Sequence, residues 1–98
     1  MAEIVLFIDA NFGGLHTHIY QSTPDFTQLA RGGVGSGING TWNDIVSSFV
    51  IESGRWQVFR DINFRVNQGG ILGPGHYSFV EDFGIDNDSI SSVRLVSA

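Results

Sequence analysis

Two short segments of the chain carry closely spaced oxygen donors in the same order. Residues 43–48 and residues 87–92 both follow the pattern Asn-Asp-x-x-Ser-Ser. Each segment offers an amide, a carboxylate, serine hydroxyls and the main-chain carbonyls that a turn leaves free. Hard cations such as Ca²⁺ bind roughly six to eight oxygen atoms of these kinds. One such turn carries too little charge to bind the ion well, but two turns lying together could complete each other's coordination shells.

A plain turn is the competing interpretation of either segment. Asn, Asp and Ser are frequent in turns because their side chains hydrogen-bond to nearby backbone groups. A single segment is therefore equally consistent with a turn and with a metal ligand. Two copies at equivalent places of a repeated sequence favour metal binding.

The repeat extends beyond these two segments. Residues 7–12 are matched by residues 59–64, because each begins and ends with phenylalanine and has Asp and Asn at corresponding positions. In both halves the aromatic segment comes first and the Asn-Asp-x-x-Ser-Ser segment last. The separation is longer in the first half, which predicts an insertion in the glycine-rich residues 30–40.

The elements that must position these segments are predicted to be strands. Short runs of Val, Ile, Leu and Phe are broken by Gly, Asn and Asp, a pattern typical of β-structure. A turn or two of helix is predicted at residues 24–31, where Asp25 stands near the start. Trp42 and Trp56 are expected to pack in the core. The candidate strands are residues 4–8, 15–20, 47–52, 56–59, 70–72 and 91–96.

The length of each half limits how the chain can be divided into domains. Each half is too short to bury a core by itself, so the halves are expected to pack together. We therefore expect one domain over residues 1–98, with a first motif at about 1–53 and a second at about 54–98.

These motifs resemble a single βγ-crystallin domain of the microbial, calcium-binding type. In that family each motif begins with an aromatic-x-x-x-x-aromatic-x-Gly hairpin, which Phe7, Phe12 and Gly14 match. The second half also carries Leu-Gly-Pro-Gly-His-Tyr at residues 72–77, similar to a Leu-x-Pro-Gly-x-Tyr segment of the family. The resemblance implies an all-β fold in which two Greek-key motifs form a β-sandwich.

The second hairpin departs from the family pattern. Phe59 and Phe64 match the aromatic positions, but Val66 stands where glycine is expected. Glycine at that position permits a positive φ, which a β-branched residue tolerates badly. Either the hairpin is reshaped, with Asn67, Gly69 and Gly70 just beyond absorbing the change, or Val66 is strained.

The resemblance also implies a coordination scheme for two calcium ions. Each loop would give one ion the carbonyl of its third residue and the hydroxyl of its fifth, while its second residue would send a carboxylate to the other ion. A hairpin carbonyl, from Ile8 or Arg60, would complete each protein shell, and which hairpin serves which ion stays open. Ser48 and Ser92 are implied to pin the hairpins. One ion would then bind Ile45, Ser47 and Asp88, and the other Ser89, Ser91 and Asp44.

Composition excludes several other functions. Cysteine is absent, so disulfides and thiolate metal sites are excluded. Lysine is absent too, and the net charge of −5 is unsuited to binding nucleic acid but suited to cations. The apolar run near the N-terminus ends at Asp9 and lacks a basic region before it, so we expect neither a signal peptide nor membrane insertion. Cytoplasmic residence is the default expectation, secretion stays open, and we expect a monomer.

The remaining motifs give weaker evidence of a function. His16 and His18 alternate along a predicted strand and so share a face, but two ligands are not a zinc or copper site, and a solvated face is expected. The glycines at residues 32–37 lack the lysine of a phosphate loop. Asp82 and Asp86 flank the second loop without a partner nucleophile, so no enzyme is expected.

The function predicted from the sequence is therefore calcium binding that stabilises the fold. With one carboxylate for each ion, dissociation constants of roughly micromolar to a few hundred micromolar are expected. The alternatives are a carbohydrate- or protein-binding module that calcium shapes, and an inhibitor or toxin of related fold.

Overall fold

Short alternating apolar segments form seven strands in the computed structural model, which describes residues 2–29 and 41–98. One sheet has the order β2-β1-β3-β6 and the other β5-β4-β7, and every pairing is antiparallel. No α-helix occurs in the described residues, so the all-β prediction is confirmed. The strands are β1 (Glu3–Asp9), β2 (Gly13–Ile19), β3 (Ser48–Ser53), β4 (Arg55–Asp61), β5 (Arg65–Leu72), β6 (Gly75–Tyr77) and β7 (Ser92–Ser97).

Six of these strands overlap the six predicted ones, and β6 was missed. It has only three residues and follows Pro74, so it carries no alternating apolar pattern. The predicted helical turn is a 3-10 helix at Phe26–Gln28, where the Asp25 carboxylate accepts a hydrogen bond from Thr27 N (2.9 Å). The predicted insertion at residues 30–40, with the glycines at 32–37 inside it, lies outside the described residues.

Each half of the chain contributes a backbone segment to the sheet that the other half mainly forms. In each half an aromatic hairpin, β1–β2 or β4–β5, pairs with the last strand of the same half, β3 or β7. The strand β6 of the second half then pairs with β3 of the first. At the corresponding place of the first half, Thr23 forms an isolated bridge to Val93 of β7. Each half therefore completes the sheet of the other, which brings the ends of the two halves together.

The core lies between the sheets and is built on aromatic side chains. Trp42 and Trp56 are both buried, as expected, and the indole of Trp56 donates to the Ser53 carbonyl (3.0 Å). Phe26 and Phe49 are completely buried beside them. Burying a side chain of this size stabilises a fold by roughly 1.5–3 kcal/mol. No helix in the described part of the chain has the length and apolar character needed to cross a membrane.

The side chain of the tyrosine that ends β6 holds the preceding Pro-Gly turn in place. The Tyr77 hydroxyl donates to the Gly73 carbonyl (2.7 Å), and its ring stacks on Phe49 with centroids 4.7 Å apart. Burial raises the pKa of the Tyr77 phenol, so the group stays a neutral donor. This contact closes the Pro-Gly turn onto the four-stranded sheet.

The two hairpin corners have the same shape. In the first, Phe7 and Phe12 pack edge to face with ring centroids 5.6 Å apart, and in the second Phe59 and Phe64 do the same at 5.6 Å. Both corners turn through left-handed residues, Asn11 and Phe12 in the first (φ 57° and 61°) and Asn63 and Phe64 in the second (φ 60° each). The second hairpin is therefore not reshaped.

Val66 adopts the conformation that glycine has in the first hairpin. Its φ is 61°, against 75° at Gly14. A Cβ at Gly14 would lie 2.6 Å from Ile8 Cγ1, whereas the Val66 side chain is 54% exposed and meets no such obstruction. The strain at Val66 is thus confined to its backbone. Gly69 and Gly70 instead form a bulge in β5, where the register with β4 shifts.

Replacing Val66 with glycine should stabilise the protein. A β-branched residue in the left-handed region costs on the order of 1–3 kcal/mol, and the extra freedom of glycine in the unfolded chain offsets about 0.4–1 kcal/mol of that cost. We expect a net gain of roughly 0.5–2 kcal/mol in the free energy of unfolding, measured by urea denaturation. Gly14→Ala, as the opposite change at the equivalent position, should destabilise, and a Val66→Gly variant less stable than the parent would contradict the assignment of strain.

Candidate metal centre

The two Asn-Asp-x-x-Ser-Ser segments, here loop one (residues 43–48) and loop two (residues 87–92), lie side by side. The backbone N–H of Asp44 donates to the Ile90 carbonyl (3.0 Å), and that of Asp88 donates to the Val46 carbonyl (3.4 Å). Val46 and Ile90 are completely buried, so each loop is fixed to the core at its fourth residue. The exchange of strands between the halves thus ends in a direct, reciprocal contact between the loops.

The aspartates of the loops reach across this contact. Asp88 Oδ1 accepts a hydrogen bond from Ser47 Oγ (3.3 Å), and Asp44 Oδ1 accepts one from Ser91 Oγ (3.0 Å). Both aspartates have left-handed backbone, with φ of 58° and 57°, which Asp tolerates better than most residues. Two oxygens bound to one Ca²⁺ at about 2.4 Å and roughly at right angles lie about 3.4 Å apart. Each carboxylate–hydroxyl pair therefore has the spacing of two neighbouring calcium ligands.

Each hairpin corner is attached to the loop of its own half. In the first half, Ser47 N donates to the Phe7 carbonyl (3.0 Å) and Ser48 Oγ donates to the Asp9 carbonyl (2.6 Å), so the two contacts flank Ile8. Ile8 packs against the edge of the core.

The second half repeats this attachment. Ser91 N donates to the Phe59 carbonyl (2.9 Å) and Ser92 Oγ donates to the Asp61 carbonyl (2.7 Å), so these contacts flank Arg60. The hairpin of each half is therefore held next to the fifth residue of its own loop.

The last serine of each loop is completely buried and both donates and accepts a hydrogen bond. Besides donating to the corner, Ser48 Oγ accepts from Phe12 N (3.0 Å), and Ser92 Oγ accepts from Phe64 N (3.2 Å). These hydroxyls bridge loop and hairpin, so each loop is tied to the corner of its own half.

An acidic cleft of about 440 Å³ opens on the loop-two side. Its walls hold five carboxylates and a single guanidinium, that of Arg60, which pairs with Asp86 at 3.4 Å. Glu81 comes from the 3-10 helix Val80–Phe83 and accepts from Asn87 N (3.4 Å). Such a concentration of carboxylates lowers the electrostatic potential and attracts cations. The lining residues are Asp44, Arg60, Asp61, Glu81, Asp86, Asn87, Asp88 and Ser89.

The third residues of the loops differ in their surroundings. The Ser89 hydroxyl donates to the Asp86 carbonyl (2.6 Å) and accepts from Gln68 Nε2 (2.9 Å), so its side chain holds the loop in shape. Ile45 is half-buried against the core. Asp82, which also flanks loop two in the sequence, does not line the cleft.

The donor atoms fit a hard cation. Among the described residues, the buried side-chain oxygens of Asn43 and Asn87 lack a hydrogen-bond partner, and these are the first residues of the two loops. A buried acceptor left unpaired costs about 1–3 kcal/mol, a cost that a cation or a water molecule removes. All the candidate metal ligands at the loops are oxygen atoms, which suit Ca²⁺ or Mg²⁺ better than softer metals. Within the described residues no three His, Asp or Glu side chains converge as a ready metal site, so any ion here depends largely on carbonyls and hydroxyls.

Sequence reasoning named the loop and hairpin residues but missed part of the cleft. The structure brings Asp44 to Ser91 and Asp88 to Ser47. Glu81 and Asp61 were not predicted as site residues, because neither belongs to the Asn-Asp-x-x-Ser-Ser segments. Asp61 was detectable as the residue two positions after Phe59, whereas no sequence signal pointed to Glu81.

Comparison with known proteins gives one consistent result. The family model described as Beta/Gamma crystallin matches residues 3–96. A curated Beta/gamma-crystallin of Ciona intestinalis is 36% identical over 94 residues, which cover 96% of this chain and 98% of the relative.

Solved structures agree in fold. The beta gamma crystallin from Ciona intestinalis has a TM-score of 0.76 at 35% identity, covering 95% of this chain and 98% of that one. A betagamma-crystallin from an archaeon has a TM-score of 0.76 at 34% identity, covering 97% and 98%. A transition-metal-ion-binding betagamma-crystallin from Methanosaeta thermophila has a TM-score of 0.69 at 35% identity, covering 95% and 99%.

Proposed function

The chain belongs to the beta/gamma crystallin family, and on that premise we propose that it binds two calcium ions between its paired loops and is stabilised by them. The family is generally a non-enzymatic structural fold, and no feature of the described residues indicates catalysis. The observation that carries the proposal is the reciprocal pairing of Asp44 with Ser91 and of Asp88 with Ser47.

Each proposed site combines both halves of the molecule. Site one takes the Ile45 carbonyl, the Ser47 hydroxyl and the Asp88 carboxylate, and site two takes the Ser89 carbonyl, the Ser91 hydroxyl and the Asp44 carboxylate. The attachment of each hairpin to its own loop supports assigning the Ile8 carbonyl to site one and the Arg60 carbonyl to site two. Water would fill the remaining positions.

The choice of calcium rests on the donor atoms. A relative from Methanosaeta thermophila, 35% identical, is described as binding transition-metal ions, so metal binding occurs in close members of the family. Transition metals favour nitrogen and sulfur ligands, and neither proposed site contains one. Oxygen ligands with a single carboxylate for each ion support calcium at moderate affinity.

Calcium should therefore bind with measurable heat and raise the melting temperature. We expect two ions for each chain, with dissociation constants of roughly micromolar to a few hundred micromolar. Calcium at about a hundred times a site's dissociation constant adds about 2.7 kcal/mol for that site if the unfolded chain does not bind it. The measurement is calorimetric titration of chelator-treated protein, together with thermal unfolding followed by tryptophan fluorescence, because buried Trp42 directly precedes loop one.

Magnesium at the same concentrations is the matched control, because Mg²⁺ demands shorter bonds and a stricter octahedral shell. Equal heats for both ions would indicate a diffuse response to charge. An absence of heat and of any melting shift with calcium would refute the proposed function.

A further inference from the structure

We propose that Gln68 is a positioning residue for both calcium ions, because its side chain holds loop two in the shape that presents ligands to each site. This inference rests on the proposed function, since it concerns the same paired loops. In the proposed scheme loop two supplies the Asp88 carboxylate to site one and the Ser89 carbonyl to site two. A residue that fixes loop two therefore acts on both ions.

Gln68 is a polar residue in a buried position. It lies on β5 opposite the completely buried Val58, and it is only 8% exposed. Apart from Gln68, the buried polar residues in the described part of the chain are four serines of the two loops. Burying an amide is unfavourable unless its donor and acceptor groups are paired, so the partners of Gln68 indicate what it does.

The Gln68 amide closes a ring of hydrogen bonds around the turn of loop two. Gln68 Nε2 donates to Ser89 Oγ (2.9 Å), Ser89 Oγ donates to the Asp86 carbonyl (2.6 Å), and Asp86 N donates to Gln68 Oε1 (2.9 Å). The three bonds run in one direction, so each strengthens the next. Asn87 and Asp88 lie between the two residues that the ring joins. The ring therefore constrains Asp88, whose backbone is left-handed (φ 57°).

Gly69 allows β5 to approach loop two closely enough for this contact. Its φ is 77°, and a Cβ at this position would lie 3.1 Å from the Phe83 carbonyl oxygen and 3.2 Å from Ile85 Cγ1. Phe83 and Ile85 belong to the segment that leads directly into loop two. The glycine beside Gln68 thus permits close packing of strand and segment that a larger residue would push apart.

Loop one cannot form the same ring. The counterpart of Ser89 is Ile45, which has no hydroxyl. The counterpart of Asp86 is Trp42, whose N–H donates to the Leu29 carbonyl (3.0 Å) instead. Trp42 is buried and Ile45 packs against the core, so apolar contacts hold this part of loop one. The two loops are therefore held by different means, and the hydrogen-bonded ring belongs to loop two.

Calcium titration of chelator-treated Gln68→Met tests the positioning role. Methionine preserves the length of the side chain but has no donor and only a weak acceptor. We expect both sites to weaken by about tenfold or more, as is typical when a group that orients a metal ligand is removed. This result differs from that of the variants Asp44→Ala and Asp88→Ala, each of which should remove a single site.

Ser89→Ala breaks the ring at another point while keeping the main-chain carbonyl of residue 89. It should weaken calcium by a similar factor, and the double variant with Gln68→Met should be little weaker than either single variant, because the ring is already open. Asn67→Ala is the matched control, since this neighbouring amide on β5 donates to the Val58 carbonyl (3.1 Å). It should leave calcium affinity unchanged.

Hydrogen exchange of the metal-free protein tests the ring without calcium. The Asp86 N–H should exchange roughly two- to tenfold faster in Gln68→Met than in the parent, because it loses its acceptor. An unchanged rate would exclude the ring. If the parent bound two calcium ions and Gln68→Met bound them equally well, the positioning role would be wrong and the calcium sites would stand. If the parent itself bound no calcium, the proposed function would fail and the positioning role with it.

Discussion

Asp44→Ala is expected to remove calcium from site two, which is built on the opposite loop, and to leave site one bound. Asp88→Ala should do the reverse. Each carboxylate is the only charged protein ligand in the proposed shell, and it lies against a serine of the other loop, at 3.0 Å for Asp44 and 3.3 Å for Asp88. We expect the affected site to weaken at least about tenfold, which corresponds to about 1.4 kcal/mol. Calorimetry gives the loss, and amide NMR shifts of the two loops identify which site is lost.

Two controls separate ligation from folding. Both aspartates have positive φ, where alanine is strained, so Asp→Asn variants preserve the backbone preference while removing the charge. Asp82→Ala removes an exposed carboxylate that does not line the cleft and should leave both sites intact. If both alanine variants retained two calcium ions at the original affinity, the crossed assignment of carboxylates would be wrong.

Ser48→Ala and Ser92→Ala are each expected to destabilise the protein strongly. Each hydroxyl is completely buried, donates to a corner carbonyl and accepts from a corner N–H, so its removal leaves two backbone groups unpaired. At about 1–3 kcal/mol for each group, we expect a loss of roughly 2–6 kcal/mol in the free energy of unfolding. Each kcal/mol lowers the melting temperature of a domain of this size by roughly 4–8 °C, so we expect a drop of at least about 8 °C.

Thermal and urea unfolding without calcium measure this loss directly. Ser97→Ala, an exposed serine at the end of β7, is the matched control and should change stability by less than about 0.5 kcal/mol. If Ser48→Ala were as stable as this control, the hydroxyl would not be the link between loop one and its hairpin.

Much of the fold follows from periodicity and repetition. Alternating apolar residues predicted six strands, and the equal spacing of Phe7 with Phe12 and of Phe59 with Phe64 predicted two equivalent corners. These features are local, so the sequence carries them directly. The pairing of β6 with β3 is not local, since it depends on where a three-residue segment lands after a Pro-Gly turn.

The candidate metal centre also has residues that the sequence predicts and residues that it does not. The loop residues were predictable because the hexapeptide is repeated, and the crossed aspartates because the family pattern implies them. Glu81 was not, since it reaches Asn87 through tertiary packing and not through a motif. Val66 shows a different limit: the sequence exposed the missing glycine, but only its backbone angle decides between a reshaped corner and a strained one.

The exchange of backbone between the halves has a consequence for how calcium leaves. Thr23 pairs with Val93, β6 pairs with β3, and each proposed ion is held by atoms from both motifs. Neither motif alone retains a complete set of ligands, so opening either one dismantles both sites at once. Separation of the motifs therefore releases both ions together, and cutting the chain between β3 and β4 would yield two fragments that recover calcium only by reassociating.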